Sequence, residues 1–283
     1  MPEGSIDVRA PFARQIQPTH PRVRVPRLPD QLDIKWGPIE ALGRFVLRAD
    51  QVLRRHGIRA SMSFDFEEFN FTNQRNRRND WFGLLPLFLT KYCRLDEQNA
   101  FWLKGVDEAG ETVMAHAIRL YVWHSTTLKQ EVESLRIMYD KIPQKSAARG
   151  EATAPTASII SGRVGIMGAL WLHPRYRGAQ LASTISPLTR AVALARWYPD
   201  YCSSIVFKSG VEKGRAALYG WPAQNVEPAI RFWNLPGWEG PDLDCYLCYR
   251  TTSEIEDAVM ETVGGIPLEA MRPIATTPVT ATT

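Results

Sequence analysis

Residues 164–197 read VGIMGALWLHPRYRGAQLASTISPLTRAVALARW, and the fold is decided here. Val164 to Leu172 is an apolar run of strand length. His173 and Pro174 end it, and Arg175, Tyr176, Arg177 and Gly178 form a turn. From Leu181 onward, apolar residues recur at Ile185, Leu188 and Val192, one face of a helix. The first amides of that helix have no intrahelical partner and sit at its positive end, which suits a phosphate. Arg175 and Arg177 place cationic groups beside it. Pro187 lies inside the helix; it removes one hydrogen bond and is expected to bend the axis downstream of an intact first turn.

Upstream, Phe101–Val106 and Thr112–Trp123 read as a hairpin turned by residues 107–111 (DEAGE). His116 and His124 are eight residues apart on its second strand. At about 3.3 Å per residue they are too far apart to share a metal. Residues 124–162 form an insertion, with helical spacing of Leu128, Val132, Leu135 and Met138 within Thr126–Asp140 and then a polar loop. Downstream come a strand at Ser203–Phe207, a capping box at Ser209–Glu212 opening a short helix to Tyr219, and stop signals at Gly220 and Pro222. Val226–Trp233 and Leu243–Arg250 then form a hairpin, and 252–264 a last helix.

Nearer the N-terminus a short strand is expected at Leu32–Trp36. A helix follows from Pro38 to Gly57, with Ile39, Leu42, Phe45, Val46, Ala49 and Leu53 on one face. The aromatic-rich span Phe64–Leu89 reads as one or two helices. It is interrupted by RNRRND at 75–80, either a solvated face or a contact for an anionic substrate. The order predicts an α/β fold: an irregular Pro/Arg-rich arm at 1–31, one domain at 32–252, and a C-terminal helix with a loose tail at 253–283.

The 283 residues carry a net charge of +4, which does not imply nucleic acid, and no nucleic-acid motif is present. No apolar run is long enough to span a membrane and no apolar signal core opens the chain, so a cytoplasmic protein is expected. Its four cysteines read as reduced thiols. Cys245 and Cys248 form a CxxC on a strand, where the spacing turns them to opposite faces, so neither a redox pair nor a zinc pair is expected. No other group of His, Cys, Asp and Glu has metal-ligand spacing, and no metal is expected.

Residues 168–183, GALWLHPRYRGAQLAS, resemble the central motif of the GNAT superfamily of N-acyltransferases, in which Gln/Arg-x-x-Gly-x-Gly/Ala follows an apolar strand. Arg175 and Gly178 match the first two positions; Gln180 departs from the third. The order of elements over about 32–250 follows the family, and Gly220-Trp221 resembles the Gly-aromatic pair ending its second conserved helix. The resemblance implies a GNAT-like mixed, mostly antiparallel sheet flanked by helices and splayed at the central strand. The pantetheine arm of acetyl-CoA or another acyl-CoA would lie against Leu170, Trp171 and Leu172. The amides of Arg177, Gly178, Ala179, Gln180, Leu181 and Ala182 would hold the pyrophosphate, with Arg175 beside them, and a backbone amide near Ala169–Trp171 would polarise the thioester carbonyl.

Tyr219 is the candidate acid for the departing thiolate, although a gapless match places Ala216 there. His173, His124, Glu67 and Glu68 are the candidate bases. The implied activity is direct acyl transfer from acyl-CoA to an amine of a small-molecule or protein acceptor, with self-association left open. The alternative is a weak or inactive GNAT-fold protein that senses acyl-CoA or binds a partner, a reading that Gln180 and Ala216 favour. The insertion at 124–162 is expected to cover the acceptor site or form an interface.

Overall fold

The computed structural model describes residues 26–143 and 146–265; the expected arm up to residue 25 and tail from 266 lie outside the described residues. Leu28, within the span read as an irregular arm, opens α1 (Leu28–Gln31) and is fully buried. The expected strand at Leu32–Trp36 does not form. The amides of Lys35 and Trp36 instead donate to the carbonyl of Ala195. α2 (Ile39–Arg55) buries Leu42, Phe45, Val46, Ala49 and Leu53 as the spacing requires, while Ile39 is exposed. Gly57 ends it at φ +72°, a left-handed turn that suits glycine.

β1 (Arg59–Ser63), α3 (Phe66–Arg75), β2 (Ala100–Val106) and β3 (Thr112–Trp123) follow. The expected hairpin is β2 and β3. Its turn is closed by the Glu111 amide donating to Asp107 Oδ1 at 2.9 Å. The segment 124–162 holds less helix than its periodicity suggests. α4 runs only over Leu128–Glu133, between a Thr127–Gln130 capping box and a left-handed Leu135 at φ +62°. The same segment also supplies β4 (Arg149–Ala152), which pairs antiparallel with β7.

β5 (Gly162–Leu172), α5 (Ala182–Trp197) and β6 (Tyr201–Phe207) form the strand-helix-strand unit at the centre. α5 stays helical through Pro187. The expected single helix at 209–219 is two: α6 (Lys208–Glu212) and α7 (Arg215–Leu218), separated at Gly214, φ +74°. Ser209 lies inside α6 and caps nothing. β7 (Val226–Trp233), β8 (Leu243–Thr251) and α8 (Thr252–Gly265) complete the order.

The eight strands lie in the order β1-β2-β3-β5-β6-β8-β7-β4. Every neighbouring pair is antiparallel except β5 and β6. A parallel pair needs a crossover, and α5 supplies it. One sheet face is covered by α2, α5 and α8 through Leu42, Phe45, Ile185, Leu188, Val192, Ile255 and Val259. The other is covered by α3, residues 81–88 and the insertion through Phe69, Trp81, Phe88, Leu128, Met138 and Tyr139. Cys245 faces the second core and Cys248 the first, as alternation on a strand requires. No helix among the described residues is long and apolar enough to cross a membrane.

Candidate functional site

The sheet opens at its parallel pair. β5 and β6 keep register from Val164↔Tyr201 to Met167↔Ser204, and the last rung carries a Ser204 Oγ–H bond to the Met167 carbonyl at 3.1 Å. Beyond it, Gly168–Leu172 runs on without β6 as a partner. On its other side β5 bulges: Ala117 faces Gly168 and Ala115 faces Trp171, so His116 alone stands opposite Ala169 and Leu170. Ala169 takes a left-handed φ of +54° at this point. The bulge turns a short piece of β5 backbone out of the ladder beside the gap.

A cleft of ≈ 920 Å³ occupies the gap and crosses the sheet, from Trp81, Phe82 and Phe88 on one face to His116, Ser186 and Trp221 on the other. Arg77, Arg177, Lys213 and Arg215 line it, against a single carboxylate, Asp80. Its field is therefore cationic.

At one mouth lies the expected anion loop. Among the described residues, the amides of Gly178, Ala179, Gln180, Leu181 and Ala182 donate to no protein acceptor, so five consecutive N–H groups are free at the start of α5. The loop is held from below by Arg177, whose Nε donates to the Leu172 carbonyl at 3.1 Å and whose Nη1 meets Asp80 Oδ2 at 3.1 Å. Gly178 takes φ +91° and Gln180 φ +52°. The third motif position thus needs the left-handed conformation that glycine adopts freely and glutamine does not. Among the described residues, Gln180 departs from the motif in side chain while keeping the backbone turn.

Arg175 does not reach the loop. Its guanidinium pairs with Asp107 in the β2–β3 turn and packs 5.0 Å from the Tyr176 ring. The hydrogen bonds from Arg175 and from the Glu111 amide hold the Asp107 carboxyl below its ordinary range, against the opposing effect of partial burial.

Leu170, Trp171, Leu172, Gly178, Gln180, Leu181, Ala182 and Tyr219 line the cleft with Arg177. The Tyr219 side chain is half-buried; burial raises its phenol above the usual value, with the Arg215 charge opposing. Its main chain is fixed by Arg190, which is buried: Nη2 donates to the Tyr219 carbonyl at 2.9 Å and Nη1 to Ser186 Oγ at 3.1 Å. Ala216 is buried in the first core.

The expected bases lie elsewhere. His173 ends β5 outside the cleft, where its Nδ1 accepts from the Arg175 amide at 3.4 Å. Burial and the neighbouring Arg175 and Arg177 charges lower its pKa. His124 is exposed beyond the end of β3. Glu67 is exposed in the first turn of α3, and Glu68 is paired with Lys104.

Sequence reading missed the opposite wall. Residues 77–88 fold over the gap, with Trp81 stacked on Trp171 at 4.6 Å and 4° and Phe82 exposed at the rim. Arg77 and Asp80, from the RNRRND cluster, thereby enter the cleft. His116 was also missed, although a histidine among Met114, Ile118 and Leu120 on one buried strand face is a visible anomaly. Among the described residues no three His, Cys, Asp or Glu side chains converge as a metal site.

The mixed, mostly antiparallel sheet that opens at its central parallel pair agrees with the sheet the motif implied. In topology the sheet resembles that of the GNAT fold. No protein-family model matches the chain, and no curated protein matches it. Among solved structures it is similar to a mutant of spermidine N-acetyltransferase SpeG from Vibrio cholerae: 9% identity, 71% of this chain and 96% of that one, TM-score 0.40. It is also similar to ribosomal-protein-S5-alanine acetyltransferase from Vibrio fischeri, at 11% identity over 70% and 94%, TM-score 0.40. A third is FdhC, a nucleotide-linked sugar GNAT, at 8% identity over 72% and 92%, TM-score 0.37. At this level of similarity the acceptors named belong to those proteins alone.

Proposed function

We propose that this protein transfers an acyl group from acetyl-CoA or another acyl-CoA to an amine. The observation that carries the reading is the cleft that crosses the sheet at the β5 bulge. It is lined by the free-amide loop and by an aromatic wall. Two substrates entering from opposite faces would meet at Ala169–Leu170.

In this reading the amides of Gly178–Ala182 and the Arg177 guanidinium hold the pyrophosphate, with Lys213 and Arg215 facing it across the cleft. The pantetheine arm follows Leu170–Leu172, the stretch of β5 that lacks β6 as a partner. A backbone amide at the bulge polarises the thioester carbonyl. The amine nitrogen attacks that carbon from the Trp81–Phe82 side; the C–N bond forms as the C–S bond breaks. The thiolate takes the Tyr219 proton, which a raised pKa keeps in place at neutral pH. The amine's proton passes to water, since Asp80, the one lining carboxylate, is paired with Arg177.

The basic side chains are committed to the pyrophosphate or, for Arg77, to Glu239, so the wall of Trp81 and Phe82 sets the acceptor side and favours an amine with an apolar portion. Incubation with acetyl-CoA, longer acyl-CoAs and a panel of such amines, followed by assay of free thiol, tests the reading. Amine-dependent thiol release lost in Tyr219→Phe supports it. Binding without release at any amine supports instead an acyl-CoA sensor, the reading that the glutamine at 180 favours. No binding overturns both.

A further inference from the structure

His116 has no place in the account so far, yet it lies at the centre of the cleft. It is the single residue of β3 opposite the bulge, it lines the gap, and its side chain is 3% exposed. Its ring is fixed from one side only. Nδ1 lies 2.8 Å from Thr189 Oγ1 on α5, and that hydroxyl donates to the Ile185 carbonyl at 3.0 Å. With the Thr189 proton committed, Thr189 accepts and Nδ1 carries the ring's hydrogen. Nε2 is left with a lone pair, and among the described residues no donor reaches it. An acceptor on a buried ring that lines the cleft, locked in one tautomer and without a protein partner, is open to a donor entering the cleft.

We propose that His116 is a positioning residue for the acyl donor, its Nε2 accepting a hydrogen bond from an amide N–H of the pantetheine arm. The inference rests on the acyl-CoA reading above and deepens it. Position supports an arm contact over a role toward the amine: His116 faces α5, with Ser186 and Tyr219, on the face opposite the Trp81–Phe82 wall. Burial and the nearby Arg190 charge hold the ring neutral, so it orients and does not take up a proton. The contact would fix the arm's depth and so bring the thioester to the bulge.

The test is a titration of the full chain, with 15N-labelled histidine, by acetyl-CoA. The His116 Nε2 resonance is expected in the unprotonated range in the free protein and should shift upfield on saturation. The His116→Phe variant should bind acetyl-CoA about fivefold more weakly, the worth of one hydrogen bond. Thr189→Val, which frees the ring while leaving His116 in place, should show part of the same loss. If the wild type binds acetyl-CoA while Nε2 stays unmoved, the inference is overturned and the acyl-CoA reading stands. If the wild type binds no acyl-CoA, both fall. The resonance is read on the wild type, so misfolding of a variant leaves the test intact.

Discussion

Arg190 of α5 donates through Nη2 to the main-chain carbonyl of Tyr219 at 2.9 Å, and its guanidinium lies 4.4 Å from the Trp221 ring. Arg250 approaches the same turn, donating to the Gly220 carbonyl at 3.1 Å. Two arginines thus clamp the residue that faces the cleft as candidate acid, and neither draws its hold from a carboxylate at that point. Arg190→Leu should cost about 2–4 kcal/mol of stability, because it strands buried carbonyls and the Ser186 hydroxyl. Denaturant midpoints measure this. Arg190→Lys, which keeps the charge but not the fork, should fall between the wild type and Arg190→Leu.

His116 gives the fold a defined acid sensitivity. Burial first, then the Arg190 charge, lowers its pKa from 6.5 to about 3. The unfolded chain therefore binds the extra proton between these values and the folded chain does not. The stability is complete above pH 6.5 and is lost as pH falls through that window, at about 1.4 kcal/mol per unit. Urea melts at pH 6.5 and 4.5 should differ by about 2 kcal/mol more in the wild type than in His116→Phe. Equal pH dependence in the two proteins would show that the ring is protonated in the fold.

Gln180→Gly removes a side chain from a left-handed position. Relief of about 1–2 kcal/mol of backbone strain is partly offset by the greater freedom of glycine in the unfolded chain. A net gain of up to about 1 kcal/mol is expected. Gln180→Val, β-branched at the same φ, should instead destabilise the protein. Thermal or urea unfolding distinguishes them.

Much of this architecture was legible before any coordinates. The hairpin of β2 and β3, the strand β5 and the helix α5 declare themselves through periodicity and turn residues, because each buries a face fixed by local spacing. What escaped depends on partners far along the chain. β4 is four polar and small residues, RGEA, whose extended form is imposed by pairing with Arg231, Phe232 and Trp233 of β7. Arg175 sits where the motif wants a phosphate ligand, yet Asp107, 68 residues away in sequence, takes its charge. Trp81 and Phe82 meet the cleft only because α3 ends and the chain folds back across β5. His116 was visible as a polar break in an apolar face, but its tautomer depends on Thr189.

The insertion is a case where structure changes the expectation. It was expected to cover the acceptor site or form an interface. Leu128, Val132, Met138 and Tyr139 are instead fully buried in the second core, and the Tyr139 hydroxyl donates to the Pro236 carbonyl at 3.0 Å. Tyr139→Ala should therefore cost about 3–5 kcal/mol, whereas Ile159→Ala, in the same segment but exposed, should stay within about 0.5 kcal/mol. Denaturant unfolding of the two variants measures both.

The most direct test of the donor site compares Arg177 with Arg175. Arg177 braces the free-amide loop and lines the cleft; Arg175 is committed to Asp107. Acetyl-CoA at about 100 times its dissociation constant should stabilise the wild type by about 2.7 kcal/mol, read as a rise in melting temperature. Arg177→Ala should weaken binding at least tenfold, whereas Arg175→Ala should change it less than threefold. Absence of any shift with acetyl-CoA or longer acyl-CoAs, or an equal loss in the two variants, would contradict the assignment of residues 177–182 as the phosphate cradle.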